Sequence, residues 1–300
     1  MRLFLFGAGY SARGVAQELA AESEWIGGTS RSADQLKTLP DFGIAPYRFA
    51  GRDDDVATMP LFDVTHLLVS IAPDQQGDPV LDAAGDTIRN NMPALRWIGY
   101  FSTIGVYGDA DGKWIDESAP RLSDKRRGRE RIDAEDGWIA LGNALDIPVA
   151  VLRLAGIYGP GRNQLLKLAE GKARRIIKPG QVFNRIHVDD IAGATAHLLR
   201  QKANGAWNIT DDEPAPPQDV IEYAAGLMGV QPPPAVDFDT ADLSPMVRSF
   251  YGDNKRVSNA RLKASGYSLR FPDYRSALDH LWQSDRWRGR GPLDAPRAMS

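Results

Sequence analysis

The chain has 300 residues, enough for one large α/β domain or two small ones, and either would bury roughly three quarters of the surface its unfolded form exposes. Hydrophobic residues make up 43% and charged residues 25%, the balance of a soluble globular protein, and a net charge of -3 argues against bulk attraction to nucleic acid or an anionic membrane. The absence of cysteine excludes disulfides, a thiolate nucleophile and cysteine metal sites and fits a reducing, cytoplasmic setting, and no segment approaches the ~18 apolar residues of a membrane span.

The first element organises the rest. Leu3, Phe4, Leu5 and Phe6 form a short apolar run, the pattern of a strand buried on both faces, and it stops at Gly7. The small residues then fall as Gly7, Gly9 and Ala12: the first for a tight turn, the second for close approach of backbone to a pyrophosphate, the third for packing of a helix on the strand. Val15, Ala16, Leu19 and Ala20 continue at helical spacing, so Tyr10, Ser11 and Ala12 open a helix whose free N–H groups favour a phosphate. This predicts a dinucleotide site.

The second apolar run, Trp25 and Ile26, leads into Gly27–Gly28–Thr29–Ser30–Arg31–Ser32. An NAD site places a carboxylate there for the ribose 2′-OH; this chain offers the hydroxyls of Thr29 and Ser30 and the guanidinium of Arg31, which suits the 2′-phosphate of NADP better than NAD. Residues 33–39 then read as a short helix closed by Pro40, and 44–49 as a strand. Asp53, Asp54 and Asp55 open a helical turn, and 65–72 form a buried strand ended by Pro73. Residues 78–91 are helical in spacing, 95–102 a strand, 124–141 a helix, and 149–154 a strand. The segment 185–190 precedes another helix, and 207–210 closes the series. Strands alternating with helices predict an α/β fold of the Rossmann type, a doubly wound parallel sheet. Beyond Asp211 the prolines at 214, 216, 217 and 232–234 break the chain into short pieces, the mark of a smaller C-terminal domain, and 288–300 read as a mobile tail.

Six stretches together give the chain a family likeness: GAGYSA at 7–12, FSTIGVYGD at 101–109, LRLAGIYGPGR at 152–162, IHVDDIA at 186–192, WNITDDEP at 207–214 and NKRVSNARL at 254–262. In this order they resemble the extended and atypical short-chain dehydrogenases/reductases of the NAD-dependent epimerase/dehydratase family. The resemblance implies an NAD(P)-binding Rossmann domain over 1–158, completed by 186–210, and a smaller substrate domain from 159–185 and 211–287. It further implies that Ser102 or Thr103 binds the reacting hydroxyl or carbonyl and that Ala72, Pro73 and Gly156 lie near the nicotinamide half. Pairing as a homodimer is implied in the same way.

The family's Tyr-x-x-x-Lys is replaced. Alignment through Gly128, Ala134 and Glu135 puts Arg127 at the Tyr and Arg131 at the Lys, with the i, i+4 spacing kept. A guanidinium keeps its proton at any working pH, so Arg127 suits a substrate carboxylate or phosphate rather than proton transfer, and Arg131 suits the cofactor ribose or pyrophosphate. The Arg that the family often carries four residues before His187 is here Phe183, and the arginine stands at Arg185, a second candidate for the substrate; a nucleotide sugar is thereby less favoured. Tyr107 and Tyr158 follow strands at the same sheet edge, as packing groups or as a substitute proton donor, and Tyr107 is the candidate acid/base. His187, Asp189 and Asp190 read as helix-capping and packing groups, with no metal expected. The basic runs 125–131 and 172–178 lack interleaved aromatics and read as solvated faces or an anion site rather than a nucleic-acid surface. Two functions remain: an NADP-dependent oxidoreductase or epimerase/dehydratase acting on a small hydroxylated or anionic metabolite, or a catalytically inactive NADP(H)-binding sensor or scaffold.

Overall fold

A computed structural model describes residues 1–289, the side chain of Met246 excepted; most of the expected tail at 288–300 lies outside the described residues. In chain order the strands are β1 (Arg2–Phe6), β2 (Trp25–Ser30), β3 (Ala45–Arg48), β4 (His66–Val69), β5 (Trp97–Thr103), β6 (Trp114–Ile115), β7 (Val149–Leu154), β8 (Gly156–Tyr158), β9 (Arg175–Ile177), β10 (Arg185–His187), β11 (Gly205–Ile209), β12 (Ala235–Asp237) and β13 (Arg256–Val257). The helices used below are α1 (Tyr10–Glu18), α2 (Ala33–Thr38), α3 (Pro79–Asn91), α4 (Arg126–Leu145), α5 (Gln164–Ala169), α6 (Val188–Arg200) and α7 (Pro217–Met228). Of the three aspartates at 53–55, Asp55 caps a short 3-10 turn over Val56–Thr58 by accepting from the Ala57 N–H.

The chain divides into two compact units. The first comprises Met1–Val106, Arg121–Leu154 and Ile191–Trp207, and the second Tyr107–Pro120, Ala155–Asp190 and the chain from Asn208 onward. Residues 107–120, left in the first domain by the sequence reading, fall in the second unit because β6 pairs in parallel with β13, Trp114 opposite Arg256 and Ile115 opposite Val257.

A seven-stranded sheet has the order β11-β7-β5-β4-β1-β2-β3, the alternating pattern built as a Rossmann-type α/β fold. The pairs from β3 through β7 are parallel. Leu3 to Phe6 are fully buried, and at roughly 2 kcal/mol for each large apolar side chain removed from water the run holds β1 at the centre of the sheet. Helix α3 starts at Asp78, whose Oδ1 accepts from Val80 and Leu81 N–H while Oδ2 accepts from Trp138 Nε1 on α4 at 3.0 Å. One buried carboxylate thus caps one helix and pins a second. In the second unit a separate apolar cluster gathers Leu165, Val220, Ala224, Tyr274, Leu278 and Leu281.

Candidate functional site

Parallel pairing brings the carboxyl ends of β1, β2, β4 and β5 to one edge of the first unit, where ligands of such sheets bind. Between β1 and α1 the chain turns at Gly7, with φ of +92° and a hypothetical Cβ only 2.8 Å from Ile71 and Ser70 side-chain atoms, so this position requires glycine. The turn is braced from both sides: the Gly7 N–H donates to Thr29 Oγ1 at 2.8 Å, and Ser70 Oγ donates to the Gly7 carbonyl at 2.5 Å. Gly9 is the N-cap of α1, no side chain caps the helix, and a Cβ at Gly9 would have no atom within 4 Å. A helix start without a side-chain cap, beside open space at Gly9, fits a dinucleotide pyrophosphate. Tyr10 and Ser11 are half-buried at the first turn and Ala12 is buried.

At the end of β2 the three expected cofactor residues have separate fates. Thr29 is fully buried and its hydroxyl is committed to the Gly7 turn, which corrects its expected direct contact with the cofactor: it shapes the cradle. Ser30 Oγ donates to Gln35 Oε1 at 2.9 Å and accepts from Ser32 N–H at 3.2 Å. Arg31 is exposed and its guanidinium has no partner among the described residues. The carboxylate of Asp34, on the following helix, pairs with Lys37 at 3.1 Å. Past β4, Ala72 is exposed and Pro73 buried.

At the end of β5, Ser102 is 5% exposed and its Oγ donates to Glu135 Oε1 at 2.5 Å. Glu135 is fully buried on α4 and also accepts from Arg153, Nε at 3.1 Å and Nη2 at 2.8 Å, and from Arg121 Nη1 at 3.3 Å. Thr103 is half-buried, and its Oγ1 accepts from the Gly105 N–H at 3.1 Å, which leaves the hydroxyl proton free to donate. Ser102 is thus engaged by Glu135, a residue the sequence offered only as an alignment marker, while Thr103 is not.

The two arginines of α4 differ in the same way. Arg131 is turned inward, Nη1 donating to the Phe101 carbonyl at 2.6 Å and to Tyr100 Oη at 3.0 Å. Arg127 is exposed without a side-chain partner among the described residues.

The remaining candidates lie in the second unit. Tyr107 is buried and its Oη donates to Asn208 Oδ1 at 2.7 Å, which corrects the proton-donor expectation: the phenol is a bonded packing group. Gly156 opens β8 and donates to the Asn184 carbonyl at 3.1 Å. Arg185 Nη1 donates to the carbonyls of Phe183 at 2.9 Å and Ala215 at 3.0 Å, and burial pulls its guanidinium below the ordinary value against the opposing field of Asp211. No group of three His, Asp or Glu side chains converges as a metal set, and no helix is long and apolar enough to cross a membrane, among the described residues.

His187 is 1% exposed, with its ring against Phe271 at 4.3 Å and its Nδ1 accepting from the Asp189 N–H at 3.2 Å. Burial lowers its pKa to about 4. The unfolded chain takes this proton near 6.5 and the folded chain only near 4, so stability present above pH 6.5 is lost as pH falls toward 4, by an amount on the order of 3 kcal/mol. Urea unfolding at pH 7.5 and 4.5 is expected to show at least that loss, and His187→Phe to remove this ring's share while the share of His66, whose pKa burial likewise lowers to about 4, remains; an unchanged pH dependence in the variant would assign the loss elsewhere.

No family model matches the chain. A conserved protein of unknown function from Silicibacter pomeroyi DSS is 49% identical, with a TM-score of 0.86 over 95% of this chain and 99% of that one. A putative NAD-dependent epimerase/dehydratase from Methylobacillus flagellatus is 26% identical, with a TM-score of 0.69 over 95% and 98%. Protein YeeZ of Escherichia coli (strain K12) is 28% identical over 248 residues, 77% of this chain and 85% of that protein. A 3-diazoavenalumate denitrifying reductase from Streptomyces sp is 28% identical over 187 residues, 55% of this chain and 58% of that protein.

Proposed function

We infer that this chain, which belongs to the extended short-chain dehydrogenases/reductases of the NAD-dependent epimerase/dehydratase type, is an NADP-dependent enzyme acting at an alcohol or carbonyl carbon of a small hydroxylated or anionic metabolite. The observation that carries the reading is the open space over Gly9 at the uncapped start of α1, joined at the end of β2 by an unpaired Arg31 and no carboxylate. The bound nicotinamide supplies or takes the hydride. The N–H groups of the first turn of α1 hold the pyrophosphate, and Arg31 pairs with the 2′-phosphate by charge-assisted hydrogen bonds. Arg131, held by Phe101 and Tyr100, binds the cofactor ribose with its remaining guanidinium edge. Thr103 donates its hydroxyl proton to the reacting oxygen. Arg127 holds an anionic group of the substrate and moves no proton; water supplies the proton that the family takes from its Tyr.

Arg31→Glu is expected to weaken NADPH binding by about 100-fold, with NADH nearly unaffected, as a lost ion pair and a new repulsion each cost one to two kcal/mol. Equal losses for the two cofactors in a nicotinamide-fluorescence titration would sink the NADP preference. The second reading, a sensor or scaffold that binds NADP(H) without turnover, is favoured by the loss of the Tyr-Lys pair together with the engaged Tyr107 hydroxyl. NADPH oxidation across a panel of carbonyl metabolites separates the two: turnover abolished by Thr103→Val supports the enzyme, and tight binding with no turnover supports the sensor.

A further inference from the structure

We propose that Arg13, one turn into α1, is a second specificity-determining residue for the cofactor, whose Nη1 and Nη2 groups bind the 2′-phosphate of NADP together with Arg31. The proposal rests on the NADP reading above and adds to it the arm that is fixed before the cofactor arrives.

The placement follows from local backbone. Gly9 caps α1, and the Arg13 N–H donates to the Gly9 carbonyl at 3.0 Å, so Arg13 stands one helical turn past the glycine. Its side chain runs back toward the start of the helix, the direction long helical side chains take, and Nε donates to the Ala8 carbonyl at 3.0 Å. Ala8 lies between the two glycines of the turn, and its own N–H donates to the Thr29 carbonyl at 2.7 Å. The guanidinium is thereby anchored to the residue through which the β1–α1 turn meets the end of β2, two positions before Arg31. Over its face lies Phe42, with Cζ 4.9 Å from the ring centroid. Phe42 belongs to the 3-10 turn Pro40–Phe42 that follows α2, and α2 is capped by Ser32, the residue after Arg31. In a Rossmann sheet the ribose 2′ position lies at the end of this second strand, and Ala8 ties Arg13 to that end.

Two features mark the side chain as a ligand arm. Arg13 is half-buried, yet Nε is its only bonded donor, and Nη1 and Nη2 have no hydrogen-bond or ion-pair partner among the described residues. Burial pulls its guanidinium below the ordinary value, and no carboxylate stands by to raise it. Arg52, half-buried in the same unit, makes the contrast: its two Nη groups are spent on Asp82 and Asp74. The second feature is that Arg13 is held both at Nε and on its ring face, so the ordering of a long side chain is complete in the free protein. Exposed Arg31 has no such support. A phosphate monoester carries close to two negative charges near neutral pH, more than one exposed guanidinium answers, and a fixed fork beside a mobile one divides its oxygens. NADH offers only a hydroxyl at that position, so Arg13 separates the two cofactors.

Nicotinamide-fluorescence titration of the full chain with NADPH and NADH, with 2′,5′-ADP and 5′-AMP as competing probes, tests the assignment. Arg13→Gln is expected to weaken NADPH and 2′,5′-ADP by about 10-fold, and NADH and 5′-AMP by less than about 2-fold. Arg13→Lys gives up the Ala8 bond but keeps the charge, and is expected to lose no more than about 3-fold for NADPH. Equal losses for the ligands with and without the 2′-phosphate, or a loss in Arg13→Lys as large as in Arg13→Gln, would assign Arg13 to bracing the turn and overturn the proposal. Unchanged NADPH binding in Arg13→Gln would overturn it as well. The two readings fail separately: a wild-type protein that binds NADH as tightly as NADPH overturns the NADP reading and this proposal together. A preference for NADPH that Arg31→Glu abolishes and Arg13→Gln leaves intact removes this proposal alone.

Discussion

Gly9→Val is expected to lower NADPH affinity by about 100-fold or more while leaving the protein folded. The backbone at Gly9 has φ -83° and ψ -167°, an extended conformation open to a β-branched residue, and the new side chain meets no protein atom within 4 Å of its Cβ. The stability cost is limited to the poorer N-cap, on the order of 1 kcal/mol. The space that the valine fills is the space over the start of α1, so the loss falls on the ligand. Gly7 makes the contrast, because its positive φ and the 2.8 Å approach of Ile71 and Ser70 make Gly7→Ala a folding defect. Fluorescence titration with NADPH and a thermal melt on the Gly9→Val protein check both halves. Retained affinity would mean that no dinucleotide lies over α1.

Glu135→Ala is expected to destabilise the first unit by about 3–5 kcal/mol, the usual cost of removing one partner from a buried ion pair. The side chain is fully buried, and its loss removes the carboxylate that pairs with Arg153, itself 5% exposed, and accepts from Ser102. At a few degrees per kcal/mol for a domain of this size, the midpoint of thermal unfolding falls by roughly 10 °C. Glu135→Gln keeps the volume and an acceptor for Ser102 but gives up the charge, so its loss is smaller. Glu135 also sits four residues beyond Arg131 on α4, and holds the helix to β5 and β7. Arg131 in turn donates to Phe101, the residue before Ser102, so the register between α4 and β5 that fixes Thr103 is maintained by these two contacts. A change under about 1 kcal/mol in urea unfolding would show that the network is well compensated.

Much of the fold was legible where the signal is local. The apolar run of β1, the glycine turn and the spacing of α1 lie within eighteen consecutive residues, and the boundaries of β7 match the expected 149–154. Helix α3, expected over 78–91 from its apolar spacing, runs Pro79–Asn91 with Asp78 as its cap. The α4 helix, expected over 124–141, runs Arg126–Leu145 although its first turn is basic and uncapped, conditions that work against its dipole. For the candidate site, residue types and order pointed to Gly9 and Arg31, and the structure leaves open space at the first and the second exposed.

The rest depended on partners distant in sequence. Ser102 and Thr103 are neighbours with similar chemistry, and nothing local ranks them; the ranking comes from Glu135, 33 residues away, which Arg153 holds in place. Tyr107 looked like a spare phenol until Asn208, 101 residues on, took its proton. Residues 107–120 joined the second unit through β13, whose backbone groups complete those of β6. Local sequence determines which backbone conformations are cheap and which faces are apolar, and it thereby determined the Rossmann-type fold and the glycine turn between β1 and α1. Which buried polar atoms meet is set by the packing of strands and helices far apart in the chain, because a buried donor or acceptor must find a partner wherever the fold brings one, and so only the tertiary structure decided that Thr103, Arg31 and Arg127 stay available while Ser102, Thr29 and Tyr107 are already bound.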